Sequence, residues 1–379
     1  MKIEQTSWTP ASGWSPAEIG KLEDAALVLV FAGGDALKED AVLRDIRAAY
    51  SKALVFGCST AGEILDTTVR DNSASVTAVQ FEGTTLDYAG INIFDVENSC
   101  AAGEQLAAAL PHQGLVHVFV LSDGIHVNGS EVVRGLASRL PAHVSITGGL
   151  SGDGDRFKET RVIYGTDSLP GQIGLLGLYG PHIRVGYASL GGWDSFGPER
   201  LVTRSEGNIL YELDGKSALE LYKTYLGEHA SGLPATGLLF PLSLRRDDGT
   251  PVVRTILGVD EEKQSMTFAG DMPEGAYARL MRANFDRLVD GAYDAAQTSK
   301  EAVGAASPDL AILVSCVGRK MVLKQRIEEE VEAVREVLGD KAVLAGFYSY
   351  GEISPFTPNA RCELHNQTMT ITTLTEHAA

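Results

Sequence analysis

Three times along this chain an apolar segment of strand length leads through a short turn into an amphipathic helix, a second apolar strand and a glycine-rich loop. That recurrence restricts the fold more than any other feature. The first copy reads as a strand at 26–31, a turn at Gly33-Gly34, a helix over 37–50 with Val42, Leu43, Ile46 and Tyr50 on one face, and a strand at 53–56. It ends in Gly57-Cys58-Ser59-Thr60-Ala61-Gly62-Glu63-Ile64. The second runs from 116–121 through Ser122-Asp123-Gly124 to a helix at about 130–140 carrying Val132, Val133, Leu136 and Leu140. Asn128 stands three residues before Glu131 as a variant capping box, and the strand 143–147 runs into Gly148-Gly149-Leu150-Ser151-Gly152-Asp153-Gly154. In the third, 310–316 is followed by Val317-Gly318-Arg319, a helix over 322–338, a strand at 342–345 and Gly346-Phe347-Tyr348-Ser349-Tyr350-Gly351-Glu352-Ile353. Gly57, Gly62, Glu63 and Ile64 superpose without a gap on Gly346, Gly351, Glu352 and Ile353, which marks internal duplication.

The pattern predicts an α/β protein with mixed sheets in two domains, built from repeated strand-helix-strand-glycine-loop-hairpin units. Hairpins are expected after each loop, at 73–81 with 86–94, at 161–164 with 171–179, and at 364–374. Between copies two and three come strand-like pieces at 182–190, 237–244 and 251–259, and helices at 215–226 and 275–303. The longer helix would carry Tyr277, Leu280, Met281, Phe285, Leu288, Val289 and Tyr293 as a core stripe. Residues 1–24, with Trp8, Pro10, Trp14 and Pro16, show no apolar period and read as a lead-in.

Charge and cysteine usage narrow the function. Asp and Glu number 50 against 32 Lys and Arg, a net charge of −18 that repels nucleic acid and anionic lipid. The longest apolar runs, near 25–32 and 310–317, are far below the roughly 20 residues of a spanning helix. The N-terminus has no signal-peptide core, and the four cysteines (58, 100, 316 and 362) include no CxxC, so the expectation is a cytoplasmic protein with free thiols and no membrane partner.

Loops after parallel strands share one sheet edge, where open α/β sheets bind ligands, so the glycine loops with Glu63, Asp123, Asp153, Arg319 and Glu352 are expected to line crevices. A structural reading stands beside this one: the glycines shape turns and the glutamates hold backbone. Neither GxGxxG nor GxxxxGK occurs in the loops, which argues against NAD and ATP. The run 57–62 approaches a nucleophile elbow but places its second glycine three residues after Ser59, leaving hydrolysis through Cys58 or Ser59 as a rival reading. The eight histidines show no HExxH or HxxxH spacing, and no CxxCH exists for covalent haem. Only non-covalent haem on a neutral imidazole remains open, with His126 and His365 nearest the loop edges.

The loops 57–64, Leu121-Ser122-Asp123-Gly124, Asn128-Gly129-Ser130-Glu131 and 148–154 resemble the N-terminal FIST domain, named for F-box and intracellular signal transduction proteins. Phe240-Pro241-Leu242, Val253-Arg254, Pro273-Glu274-Gly275, Ser315-Cys316-Val317-Gly318-Arg319, 346–353 and His365-Asn366-Gln367-Thr368 resemble its C-terminal partner domain. The resemblance covers about 25–375. It implies a FIST N-terminal domain at 25–215, a C-terminal domain at 216–379, and a ligand-binding sensor, not an enzyme. Output would pass to a partner histidine kinase or cyclic-di-GMP enzyme.

Two ligand classes follow from the resemblance. One is haem b used for nitric oxide sensing, with His126 or His365 as axial ligand; the other is amino acids, with Arg319 taking the carboxylate and Glu63, Glu352 or Asp153 the ammonium. The ligand-binding set implied by the matching motifs is Cys58, Ser59, Thr60, Gly62, Glu63, Asp123, Gly148, Gly149, Asp153, Cys316, Gly318, Arg319, Tyr348, Tyr350, Gly351, Glu352 and Asn366.

Overall fold

The computed structural model describes residues 1–165, 167–245, 251–304, 307–356 and 360–377. Each predicted repeat forms a parallel pair of strands joined through helix: Leu27–Gly33 with Leu54–Thr60, Leu115–Ser122 with Ser145–Leu150, and Leu310–Cys316 with Val343–Ser349. A returning strand adds antiparallel to the first member of each pair, Ala74–Gln80, Gln172–Tyr179 and Met369–Glu376 respectively. Three separate sheets result.

The chain exchanges strands between these sheets in a cycle. After Thr60 it leaves the first sheet, and Glu63–Leu65 pairs with Val343–Ser349 in the third. After Ser349 it leaves the third, and Gly351–Pro355 pairs with Ser145–Leu150 in the second. From the second sheet it passes through 151–161, and Val162–Tyr164 pairs with Leu54–Thr60 in the first. Every glycine loop is therefore a crossover between two sheets, which gives the repeat its purpose. Gly57, Gly148 and Gly346 occupy equivalent places, and a Cβ on any of them would stand 1.8–2.0 Å from the carbonyl oxygen of Val30, Val120 or Leu313 on the paired strand. Only glycine permits that approach.

Strand alternation then sorts the side chains. Leu27, Leu29, Phe31, Phe56 and Cys58 from the first sheet, Phe119, Leu121, Leu176 and Leu178 from the second, and Leu310, Ile312, Val314 and Phe347 from the third share one central core. The alternate residues Val28, Val30 and Ala32 face outward under the helix Asp40–Ala49, against Val42 and Ile46. The three sheets enclose the core like the walls of a prism, with helices outside. Phe347 is fully buried and stacks on Phe31 at 4.8 Å across two sheets. Phe347→Ala is expected to cost about 3–5 kcal/mol in urea unfolding; a loss under about 1 kcal/mol would show that the shared core is not what couples the sheets.

Several local expectations change. The segments 73–81 and 86–94 are not a hairpin: Ala74–Gln80 lies in the first sheet, whereas Thr85–Asn92 pairs with Gln172–Tyr179 in the second. Val162–Tyr164 likewise turns back on Asp167–Leu169 and not on 171–179. Within 1–24, Lys2–Thr9 is a strand running antiparallel to Ala74–Gln80, so this stretch belongs to the first sheet. The expected helix 275–303 begins only at Phe285, capped by Asn284, whose side chain accepts from the Arg287 N–H. Tyr277–Arg282 is instead a strand between Asp194–Glu206 and Leu242–Arg245, with Ala278 and Leu280 buried. The i, i+3, i+4 spacing of Tyr277, Leu280 and Met281 imitated a helix face.

Between the strand Ile183–Leu190 and the helix Phe285–Val303 the chain builds an antiparallel sheet of its own, from Asp194–Glu206 to Tyr277–Arg282, packed on the helix Ala218–Leu226 around Leu219, Tyr222, Met266 and Phe268. The expected boundary at 215/216 falls between the paired strands Ile209–Leu213 and Lys216–Ser217.

Candidate functional site

The three crossovers meet. The Ala61 N–H donates to the Tyr348 carbonyl, Tyr348 N–H to Gly62, Gly152 N–H to Ser59, and Tyr350 N–H to Leu150. The repeat thus ties its own loops together through backbone. Two loops also carry one motif twice. Thr60 donates to Glu63 Oε1 at 2.5 Å while Glu63 Oε2 accepts from the N–H and hydroxyl of Ser73. Ser349 donates to Glu352 Oε1 at 2.6 Å while Glu352 Oε2 accepts from the N–H and hydroxyl of Thr368. In both cases the carboxyl anchors the start of the returning strand. In the second unit Asp123 does this work: Oδ2 accepts from Gly171 N–H, and Oδ1 takes Ile125 and His126 N–H. Burial raises Glu63 to about 7 and Glu352 to about 8, because loss of water outweighs the hydrogen bonds that favour the charged forms.

Beside these anchors lies a cavity of about 400 Å³ to which all three units contribute. The first supplies Gly33-Gly34-Asp35, Thr60 to Glu63 and Asp71-Asn72; the second Gly154 to Arg156; the third Val317, Lys320 and Met321. Lys320 donates to the Ala61 carbonyl at 2.8 Å and pairs with Asp71. Arg156 pairs with Asp35 at 2.7 Å and with the buried Asp153. Asp71 and Asp35 are largely exposed, so each cation is held by a carboxylate that can swing away. A larger cavity, about 690 Å³, is lined by Ala26, Leu54 and Val55 at the starting ends of the first parallel pair. The smaller one sits at the carboxyl ends, where the fold gathers its loops.

The residues expected from the sequence divide accordingly. Thr60, Gly62 and Glu63 line the 400 Å³ cavity, and Asp153 stands behind it, holding Arg156. Cys58 lies in the central core with its thiol pushed well above its ordinary value by desolvation, and the Ser59 hydroxyl accepts the Arg161 N–H at 2.8 Å. Both are buried, which leaves neither presented as a nucleophile. Gly148, Gly149 and Gly351 are spacers packed against Val120, Val314 and Leu364. Cys316 is buried, with its thiol raised by desolvation, and Gly318 packs against the Gln367 amide.

Arg319, expected as a ligand anchor, is fully buried: it pairs with Glu330 at 2.7 Å and donates to the carbonyls of Gly191 and Leu288. Tyr348 donates to the same Glu330. Asn366 is buried where the antiparallel sheet meets the core, its Oδ1 facing the Thr255 N–H. Tyr350 stacks on Phe157 at 4.3 Å and borders another cavity, with His126.

Neither histidine is placed for haem. His365 is buried, with Nε2 2.8 Å from the Ser354 carbonyl and its ring edge-on to Phe356. His126 has better chemistry, because Asp123 faces Nδ1 at 3.1 Å and can fix the tautomer that leaves Nε2 as a ligand atom. The cavity it borders is only about 240 Å³, too small to bury most of a porphyrin as a cofactor pocket must. As placed, these residues do not fit the group.

The sequence reading missed Lys320, Arg156, Asp35 and Asp71. Lys320 follows Arg319 on the helix Val317–Leu323, and a step of about 100° per residue turns one side chain inward and the next toward the cavity. The strand-end equivalence of Gly33, Asp123 and Cys316 could have pointed to the Gly33-Gly34-Asp35 turn.

Comparison with known proteins gives the family. The model for the FIST N domain matches residues 26–216 and that for the FIST C domain residues 218–355. An uncharacterized protein of Methanocaldococcus jannaschii, MJ1623, is 26% identical over 204 residues; the match covers 50% of this chain and 38% of that protein, so it spans well under half of the relative's length. Among solved structures, a cyanuric acid hydrolase from A. caulinodans aligns over 100% of this chain and 99% of its own at 9% identity and a TM-score of 0.40, a likeness too weak to bear on activity. No helix among the described residues is long and apolar enough to cross a membrane. With both domain models matched in order across most of its length, the chain belongs to the FIST family of sensor domains in signal transduction.

Proposed function

We propose that this protein senses a small zwitterion of the amino-acid class in the cavity where the three units meet. The observation that carries the reading is the lining: Lys320 and Arg156, each paired with a displaceable carboxylate, Asp71 or Asp35, share one cavity wall with Glu63 and with the glycine backbone of Gly33, Gly34, Gly62 and Gly154. A ligand carboxylate would replace Asp71 or Asp35 on the two cations, and its ammonium would take the released carboxylates. Because the walls come from all three units, occupancy changes the free energy of their relative arrangement. A ligand that prefers one arrangement shifts the population toward it and alters the surface offered to a partner. That partner is proposed to be a histidine kinase or a cyclic-di-GMP enzyme, the output class the family resemblance implies.

Calorimetric titration with the twenty amino acids tests the ligand class. At least one is expected to bind saturably, and Lys320→Ala is expected to weaken it by about tenfold or more, the scale of one charged hydrogen bond. Binding unchanged in Lys320→Ala would exclude the cavity. An absorption spectrum decides the alternative: a Soret band that moves on adding nitric oxide would replace the zwitterion reading with haem.

A further inference from the structure

We propose a second ligand site, where the antiparallel sheet meets the core, that takes a small multiply charged anion of the phosphate-ester or pyrophosphate class. A cavity of about 240 Å³ there is lined by arginines from three separate segments: Arg134 on the helix Gly129–Arg139, Arg254 at the end of the strand Pro251–Arg254, and Arg361 just before the strand Cys362–His365. In a chain of net charge −18, three guanidinium groups around one hollow run against the general field. Asp271 and Glu363 also line it, so cations outnumber carboxylates on its walls.

The arginines differ in freedom. Arg254 is 3% exposed and donates to the carbonyls of Asp271, Val253 and Leu364, which makes it a fixed positive wall shared by the two parts of the molecule. Arg134 is half exposed and pairs with Glu131 at 2.9 Å, and Arg361 is exposed, so both can turn onto a ligand. The Ser130 hydroxyl on the same wall is buried and has no hydrogen-bond partner among the described residues. Asp271 is turned to the Asn128 amide at 3.1 Å. Guanidinium groups from three segments around one hollow can each present a planar fork of donors to the several oxygens of a multiply charged oxyanion, more than one carboxylate offers. An anion held there would bridge the antiparallel sheet and the second unit, independently of the zwitterion cavity.

Titration of the full chain with sodium pyrophosphate at constant ionic strength is the test. The expected result is saturable one-site binding that the Arg134→Gln/Arg361→Gln protein weakens by about tenfold or more. Lys320→Ala should bind as tightly as the wild type. Both substituted arginines are solvent-facing; near-UV circular dichroism checks the double variant's fold, and Arg361→Gln alone replaces it if packing changes. No saturable binding, or equal binding by the arginine variants, would overturn the site and leave the arginines as an ion-pair network. Loss of binding in Lys320→Ala would overturn it too, by placing the anion in the other cavity.

Discussion

Replacing Arg319 by alanine is expected to destabilise the protein by about 3–5 kcal/mol, the cost of leaving one member of a buried ion pair without its counter-charge. Of its present partners Glu330 would keep only the hydroxyls of Ser315 and Tyr348, in a buried setting. The Gly191 and Leu288 carbonyls would lose their donor in the same step. Removing both charges with apolar residues of similar size, as in Arg319→Met/Glu330→Leu, should recover much of the loss, since a buried pair contributes little net stability against a packed apolar replacement. Urea unfolding measures both proteins. A single variant within about 1 kcal/mol of the wild type would contradict the structural role and reopen Arg319 as a ligand anchor.

The second large effect is a pH dependence of unusual sign. Glu63 and Glu352 titrate in the folded protein at about 7 and about 8, against 4.5 when unfolded. Between these limits the native state binds protons that the unfolded chain has released, so stability falls as pH rises. His117 works in the opposite sense lower down: desolvation between Ser145 and Thr147 depresses it to about 3, so its contribution is lost as pH falls below 6.5. The clean window is therefore pH 6.5 to 8, where stability should drop on the order of 2–3 kcal/mol at about 1.4 kcal/mol per proton per pH unit. Glu63→Gln/Glu352→Gln should flatten that window in denaturant titrations. Stability rising from pH 6.5 to 8 would show that the anchors stay charged.

Much of this fold was legible because the repeat is local. Leu27, Leu29 and Phe31 alternate with Val28, Val30 and Ala32, and Val42 and Ile46 keep helical spacing, so strand, helix and strand announce themselves without long-range knowledge. Partnership was not legible. Nothing within 85–92 states that it pairs with 172–179 and not with its neighbour 74–80, because alternation specifies a pleat and one buried face but not which strand lies beside it. The candidate site followed the same division. Gly62 and Glu63 stood out through the duplicated motif and Thr60 through the family resemblance of the same loop, whereas Arg156, Lys320 and Asp35 reach the cavity only after three sheets close on one another. For the duplicated glutamates the structural reading set beside the ligand one describes both, since each fastens a returning strand, and only Glu63 also borders the cavity.

Hydrogen-deuterium exchange of the whole chain, with and without the amino acid that binds in calorimetry, tests the central claim most directly. The account predicts added protection in 33–35, 60–63, 71–72, 154–156 and 317–321 together, because one ligand touches all three units there. Protection confined to a single unit, or centred on 124–128 and 268–270 around His126, would contradict it.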